Sequence, residues 1–405
     1  MSPIHSKKLT CLRLRATAFV GLLAVALPAM AEEGDAFRYG AGLTYEWDSN
    51  LFRLDSAAPG GAPSDNLANY YGLVGFDKYL GRQELYGDFI IGRTKFSRFS
   101  ELDYDNQDIR TGWKGYFPHE IQTKLEWVRS QRLANFADLA VVRRNVITSD
   151  NVALDVDVPV YANWHAVGGG SLTRIRNSHA LDESNNLDGD AFEGGVRYVT
   201  PYGNRLDLVY RSAKSRFPDR VFTAITDTAY RDQSTDLRIL WQLSGSNKLE
   251  GRAGYLTRNQ ATLVYRNFSG PSFQLADTWQ PTASTTVVSS IYRRTGDAGD
   301  NSFNYAVTKG IRVEPTFNAT AKISVHGAVE WWDRRYLGNV YADITGLPIY
   351  TDREDKTAMG TLGVTYMPTR WLQLSADYRG ERRDSNQLLG DYTDHLGSVT
   401  LQLSF

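Results

Sequence analysis

Twelve charged residues sit at alternate positions in otherwise apolar stretches, and they are the groups best placed to do chemistry: Arg38, Glu46, Lys124, Glu126, Arg205, Asp207, Arg211, Arg238, Arg252, Glu330, Asp377 and Arg379. Donors and acceptors of both signs can hydrogen-bond hydroxyl groups and receive charged ones; where they line a passage, they decide what crosses it. Opposite charges on neighbouring strands can also pair with one another and do no more than hold a wall together.

Bond-breaking chemistry has no comparable foothold. There is no G-x-S-x-G, no phosphate-cradling P-loop and no complete G-x-G-x-x-G, since Gly40-Ala41-Gly42 lacks the third glycine. Gly168-Gly169-Gly170 reads as a strand that bends or packs closely against its neighbours. The histidines His119, His165, His179, His326 and His395 lack ligand spacing, and the sole cysteine, Cys11, precedes an apolar run. His326 beside Glu330 is the pair nearest to a site. Asp182, Glu183, Asp188, Asp190 and Glu193 could surround a calcium ion, but they depart from the regular ligand spacing of an EF-hand, and a solvated loop fits better. No catalytic set, metal or cofactor is therefore expected. Arg143-Arg144, Arg293-Arg294, Arg334-Arg335 and Arg382-Arg383 suit phosphate, or simply keep loops soluble.

The N-terminus reads as a secretory signal over residues 1–31. Lys7, Lys8, Arg13 and Arg15 precede an apolar run from Ala16 to Leu27, and Ala29-Met30-Ala31 supplies the small-x-small cleavage site. Its removal takes away four basic residues and no acidic ones, which leaves a mildly acidic chain without cysteine. No basic face suggests nucleic acid. Beyond the signal, no apolar run approaches the roughly 20 residues a membrane helix needs.

The elements that must position the charged residues are strands. In Phe37 to Asp48, Phe37, Tyr39, Ala41, Leu43, Tyr45 and Trp47 alternate with Arg38, Gly40, Gly42, Thr44, Glu46 and Asp48. Successive strand side chains point to opposite faces, so one face is apolar and the other small or charged. The pattern recurs at 120–127, 205–211, 236–242, 322–331, 372–379 and 398–405, with Val209 and Leu240 out of phase, and it is weak over 69–77 and 84–94. Short turns near 80–83, 118–119, 159–163, 200–204, 244–247, 281–284, 316–319 and 368–370 interleave with long polar loops. The loops run over 48–66, 97–104, 133–150, 177–188, 214–228, 258–270, 294–303, 334–354 and 382–391. Eight turns and nine loops join about 18 strands. The fold class predicted is all-β, a transmembrane antiparallel up-and-down β-barrel of 16 to 18 strands over residues 32–405, apolar face to lipid and charged face to a wet lumen. An open sheet edge in lipid would leave unpaired N–H and C=O groups, so the barrel must close. Aromatics gather near the turn ends, among them Trp164, Tyr198, Trp279 and Phe405, and near the loop ends at Trp47, Trp127, Tyr210, Tyr255, Tyr292, Trp331 and Tyr378. Two aromatic girdles mark the two membrane interfaces.

The closing VTLQLSF, with Val399, Leu401, Leu403 and Phe405 in alternation, resembles the C-terminal assembly signature of bacterial outer-membrane barrels. Asn50-Leu51-Phe52-Arg53, Asn135-Phe136-Ala137-Asp138 with Arg144-Asn145-Val146, and Thr278-Trp279-Gln280-Pro281-Thr282 resemble the EpsL-type barrel proteins of exosortase-associated exopolysaccharide operons. That resemblance implies a Gram-negative outer-membrane protein of polysaccharide biosynthesis and export. Its partners would be outer-membrane lipids and lipopolysaccharide, the barrel assembly machinery, an exopolysaccharide chain and periplasmic export components. The expected role is a hydrated conduit for polysaccharide, gated by loops such as 48–66 or 334–354. A solute-uptake porin is the first alternative, and an enzyme or a structural scaffold is less favoured.

Overall fold

The computed structural model describes residues 37–138, 143–296, 298, 303–339 and 352–405; the expected signal segment lies outside them. Eighteen antiparallel strands form one closed sheet. They are β1 (Phe37–Asp48), β2 (Asp65–Leu80), β3 (Gln83–Phe96), β4 (Tyr104–Tyr116), β5 (Gln122–Leu133), β6 (Val146–Tyr161), β7 (Trp164–Asn177), β8 (Leu187–Val199) and β9 (Arg205–Arg216). The second half comprises β10 (Ala229–Gln242), β11 (Asn247–Gln260), β12 (Phe268–Thr282), β13 (Thr285–Gly296), β14 (Phe303–Asn318), β15 (Ile323–Asn339), β16 (Arg353–Thr369), β17 (Leu372–Ser385) and β18 (Tyr392–Ser404). Each strand pairs with its sequence neighbours, and β1 with β18 closes the ring.

Register fixes which side chains face inward. Directly paired residues share a face, so the set that begins at Arg38 and Glu46 can be followed from strand to strand. It passes through Asp88, Lys124, Asp157, Arg197, Asp207, Arg238, Arg252, Arg312, Glu330 and Asp377 and returns through Gln402 to Gly42. The opposite face carries exposed Phe37, Val74, Leu172, Phe192, Leu208, Val329, Leu362 and Val399. An apolar surface wrapped around a polar interior is what a bilayer requires of a closed sheet.

Both chain ends of the barrel lie at the short-turn end, where the Tyr39 amide donates to the Phe405 carbonyl and the Phe405 amide to that of Tyr39. Phe405 stacks on Tyr39 and Trp371, and Val399, Leu401, Leu403 and Phe405 share the outer face.

Several expectations need correction. Tyr292 is not in the outer girdle; it faces inward and is buried, and its hydroxyl bonds Glu330. Pro159 lies inside β6 at a register shift, with the turn at Ala162 and Asn163, because the irregular pairing between Pro159 and Tyr161 absorbs a residue that cannot donate to the ladder. β15 and β16, at 17 residues each, are the longest of the described strands, because their hairpin continues past the apolar band with Arg335 paired to Glu354. Of the loop expected over 334–354, residues 340–351 lie outside the described residues.

Candidate functional site: the lumen wall and its mouth

All twelve charged residues named from the sequence face the lumen, and most are tied to one another or to inward residues that the alternation did not single out. The ties commonly skip a strand. Arg38 on β1 reaches Asp88 on β3 at 2.9 Å. Arg238 on β10 holds Glu193 on β8 through two bonds of 2.9 Å. Arg197 bridges Asp207 at 2.7 Å and Asp157 at 2.6 Å, and Asp157 in turn meets His165 at 2.6 Å. Between neighbouring strands, Arg252 holds Asp236 at 2.7 Å and Arg312 holds Glu330 at 2.7 Å.

Glycines make the strand-skipping contacts possible. In four rows of directly paired residues the middle member is glycine and its two flanking side chains meet above it. These rows are Tyr71–Gly42–Gln402, Arg38–Gly75–Asp88, Tyr86–Gly112–Glu126 and His326–Gly363–Asp377. A Cβ at Gly42 would fall 2.2 Å from the Tyr71 ring, and one at Gly363 would fall 2.1 Å from Asp377 and 2.4 Å from His326. The bonds across these gaps are Tyr71 to Gln402 at 2.9 Å, Tyr86 to Glu126 at 2.7 Å and His326 to Asp377 at 2.7 Å. Long side chains thus lie flat against the wall instead of projecting into the channel. His326 pairs with Asp377 and not with Glu330, which is occupied by Tyr292 and Arg312.

The wall is polar but not neutralised throughout. Among the described residues, Arg205, Arg211 and Arg294 have no carboxylate within ion-pairing distance. Arg205 and Arg294 are exposed, the latter bonding only Gln274 and stacking on Tyr292. Two recesses open on this side. One of about 370 Å³ is lined by Lys124, Asp155, Arg197, Arg205 and Arg238; the other, of about 270 Å³, by Asp236, Arg252 and Arg294. Many wall groups remain wetted, with Arg38 and Asp88 more than half exposed.

The loop end is narrowed by an apolar cluster that polar loops would not suggest. Leu51 and Phe52 of loop 49–64, Phe96, Leu102 and Phe136 are buried together, and the Phe52 ring sits edge-on to Phe99 and Phe136 at 4.8 and 5.0 Å. Beneath it Arg53, in the left-handed region at φ 55°, grips Asp48 at 2.9 Å and the fully buried Asp394 at 3.0 Å, while Arg379 reaches Asp394 at 3.3 Å and Glu46 sits alongside. Asn50 is buried and bonds the carbonyls of Leu54 and Thr393. The Ala137 carbonyl, between β5 and β6, accepts from Arg383 on β17, six steps around the wall from β5, so this loop leans inward across the mouth. Loop 48–66 is legible in the sequence as a gate, whereas the part played by 134–138 is not; its one signal is Phe136, an aromatic inside a polar loop.

Further round the rim each loop is tied to the next. Arg143 binds Asp182 at 2.7 Å, Asn186 binds Asp219 at 2.8 Å, and Arg266 bonds the Ile225 carbonyl and Asn304. Burial alone would push the Asp227 carboxyl up, but the amides of Leu263, Thr262 and Thr228 outweigh it and hold it below the usual carboxylate range. The carboxylates considered for calcium do not converge: Asp182 is taken by Arg143, Asp188 by Arg176 and Glu193 by Arg238. Among the described residues no group of ligands could hold a metal.

A closed 18-stranded sheet with a wet charged interior, an apolar exterior and loops folded into one mouth is the architecture of outer-membrane porins. Comparison with known proteins agrees: residues 220–405, the part from just before β10 to the end, match the family described as "Putative beta-barrel porin 2". Among solved structures the chain is similar to Pseudomonas aeruginosa OccK2 (OpdF), at 10% identity with a TM-score of 0.54, covering 93% of this chain and 100% of that one. It is also similar to a BenF-like porin from Pseudomonas fluorescens Pf-5, at 9% identity and TM-score 0.53 over 92% and 99% of the two chains. OccK2 in complex with glucuronate gives 12% identity and TM-score 0.50 over 91% and 98%. At such identities the likeness concerns the fold. No curated protein matches the sequence.

Proposed function

We propose that the protein is an outer-membrane diffusion channel that takes up small hydrophilic solutes, with a preference for anions such as sugar acids. The observation that carries this reading is the set of inward arginines without carboxylate partners, Arg205, Arg211 and Arg294, on a wetted wall beneath a narrowed mouth. Guanidinium groups present a planar fork suited to carboxylates. Wall charges that are already paired offer polarity with little net field, and across the wall the unpaired arginines are set against the exposed inward Asp77, Asp108 and Asp155. In the recess that holds Arg294, however, the one carboxylate, Asp236, is taken by Arg252, and the excess charge there is positive. The complex of OccK2 with glucuronate supports the same solute class by analogy of fold.

Passage of an exopolysaccharide is the second reading. It rests on the resemblance of Asn50 to Arg53 and Asn135 to Asp138 to EpsL-type proteins, and both stretches meet in the mouth. A mouth crossed by the contact of Ala137 with Arg383 suits a small solute better than a polymer.

The test is ion conductance of the purified protein in a planar bilayer, with the reversal potential under a salt gradient and block by glucuronate, neutral glucose and exopolysaccharide fragments. Anion-selective current blocked by glucuronate and not by glucose supports uptake of acidic solutes. Block by the fragments alone moves the assignment to polysaccharide, and absence of current refutes a channel.

A further inference from the structure

The outer face changes character sharply near the loop end of β5 to β9. On β7 the outward residues are apolar or small from Trp164 to Leu172, and Arg174 and Arg176 follow. Eight residues at about 3.3 Å each, tilted by about 40°, rise ~20 Å, close to the ~25 Å apolar band of such barrels, so these arginines stand at headgroup height in the outer leaflet. Neighbouring strands change at the same level. Trp127 gives way to Arg129 on β5, Val152 to Asp150 on β6, Phe192 to Asp190 on β8 and Tyr210 to Lys214 and Arg216 on β9.

A cleft of about 260 Å³ opens there, lined by Asp105, Gln131, Arg144, Thr148, Arg176 and Ser178. Arg144 is anchored through Nε to the Asp103 carbonyl at 2.9 Å, which leaves its terminal nitrogens for the cleft. Arg176 is held by the carbonyls of Ile175 and Leu187 and by Asp188 at 2.7 Å. The one carboxylate in the lining, Asp105, is engaged by Arg93 at 3.1 Å.

We propose that this cleft binds a phosphate of the phosphorylated glycolipid that forms the outer leaflet, with Arg144 and Arg176 as its cationic jaws and Arg174 at the rim. Charge, height and the apolar surface directly below, at Leu172 and Val152, match a headgroup whose acyl chains run down the barrel wall. The site is independent of what the lumen carries.

The experiment measures binding of bisphosphorylated lipid A, and of the same lipid after dephosphorylation, to the full-length protein in detergent, by native mass spectrometry. Wild type is compared with the Arg144→Gln/Arg176→Gln double variant and with Arg174→Gln, which removes an exposed rim charge that shares Asp188 with Arg176. Losing two charge-assisted contacts is expected to weaken the phosphorylated lipid about tenfold or more, with a smaller loss for Arg174→Gln and little binding of the dephosphorylated lipid to any of the proteins. Equal binding by wild type and Arg174→Gln together with equal binding by the double variant overturns the proposal. So does undiminished binding of dephosphorylated lipid, or displacement of the lipid by millimolar inorganic phosphate, which would make this a free-phosphate site. If the double variant does not fold, the phosphorylated-versus-dephosphorylated comparison on wild type decides alone.

Discussion

Arg383 and the carbonyl of Ala137 meet at 2.8 Å although their strands are far apart around the wall. Arg383 is nearly buried, also bonds the Gly390 carbonyl and stacks on Tyr392, so it presents a fixed donor to an incoming loop. Replacing it with glutamine should release 134–138 from the mouth. A larger and noisier single-channel conductance is expected, with faster amide exchange in that loop; unchanged conductance would show that the contact does not limit the aperture.

Phe136 anchors the same loop from the other side. Phe136→Ala removes an aromatic from a buried cluster with Phe52 and Leu102 and should cost the loop assembly about 3–5 kcal/mol. The damage should stay local, because the closed ladder of strands does not depend on it. Proteolysis of the outer loops should accelerate while the heat-modifiable mobility of the barrel is retained.

The wall locks should respond to changes at the glycines as well as at the side chains they accommodate. A Cβ at Gly310 would fall 2.5 Å from the Tyr292 ring, so Gly310→Ala should push Tyr292 away from Glu330. Tyr292→Phe removes the same hydroxyl and should cost about 1.5–3 kcal/mol, the range for a hydrogen bond to a charged group. Thermal unfolding of the two single variants and the double variant tests whether they act on one contact: the losses should be markedly less than additive.

Selectivity should follow the unpaired arginines. Arg205→Gln together with Arg294→Gln removes two exposed inward charges without stranding a carboxylate, and the reversal potential should move toward cation preference. Arg252→Gln strands Asp236 and should move it in the same direction while also costing stability. Planar-bilayer recordings at low salt show the effect best, since screening erodes it.

Asp227 gives the loop ring a pH limit. Its folded-state pKa lies below the ordinary carboxylate value, so its contribution is fully present above about pH 4 and is lost as pH falls through the folded value. Outer-loop protease sensitivity should rise only in strong acid in wild type. Asp227→Asn should show raised sensitivity at neutral pH and little further change on acidification.

Much of this was legible in the sequence. Two-residue alternation placed all twelve charged positions on one face, because a closed sheet in lipid leaves each strand residue only two environments. The weak stretches over β2 and β3 have a physical cause. Tyr71 and Tyr86 face inward although they are bulky and aromatic, since each ring lies over a glycine and its hydroxyl bonds Gln402 or Glu126. Val209 broke the pattern for a related reason: it faces inward but is almost wholly buried. What could not be read was pairing across a skipped strand, because His326 and Asp377 become neighbours only when Gly363 is known to lie between them. The inward lean of 134–138 was equally hidden, since it depends on the curvature of the closed wall.

The glycine rows bear on how such a barrel assembles without error. A slip of one residue turns every side chain to the wrong solvent and is rejected at once. A slip of two keeps each face correct, so hydrophobicity cannot detect it. Such a slip would set the Tyr86 ring against Arg110 or Lys114 instead of Gly112, and Tyr292 against Thr308 or Arg312 instead of Gly310. The bulky ring and the bare backbone beside it therefore work as key and keyway, proofreading an alignment error to which the bilayer is blind.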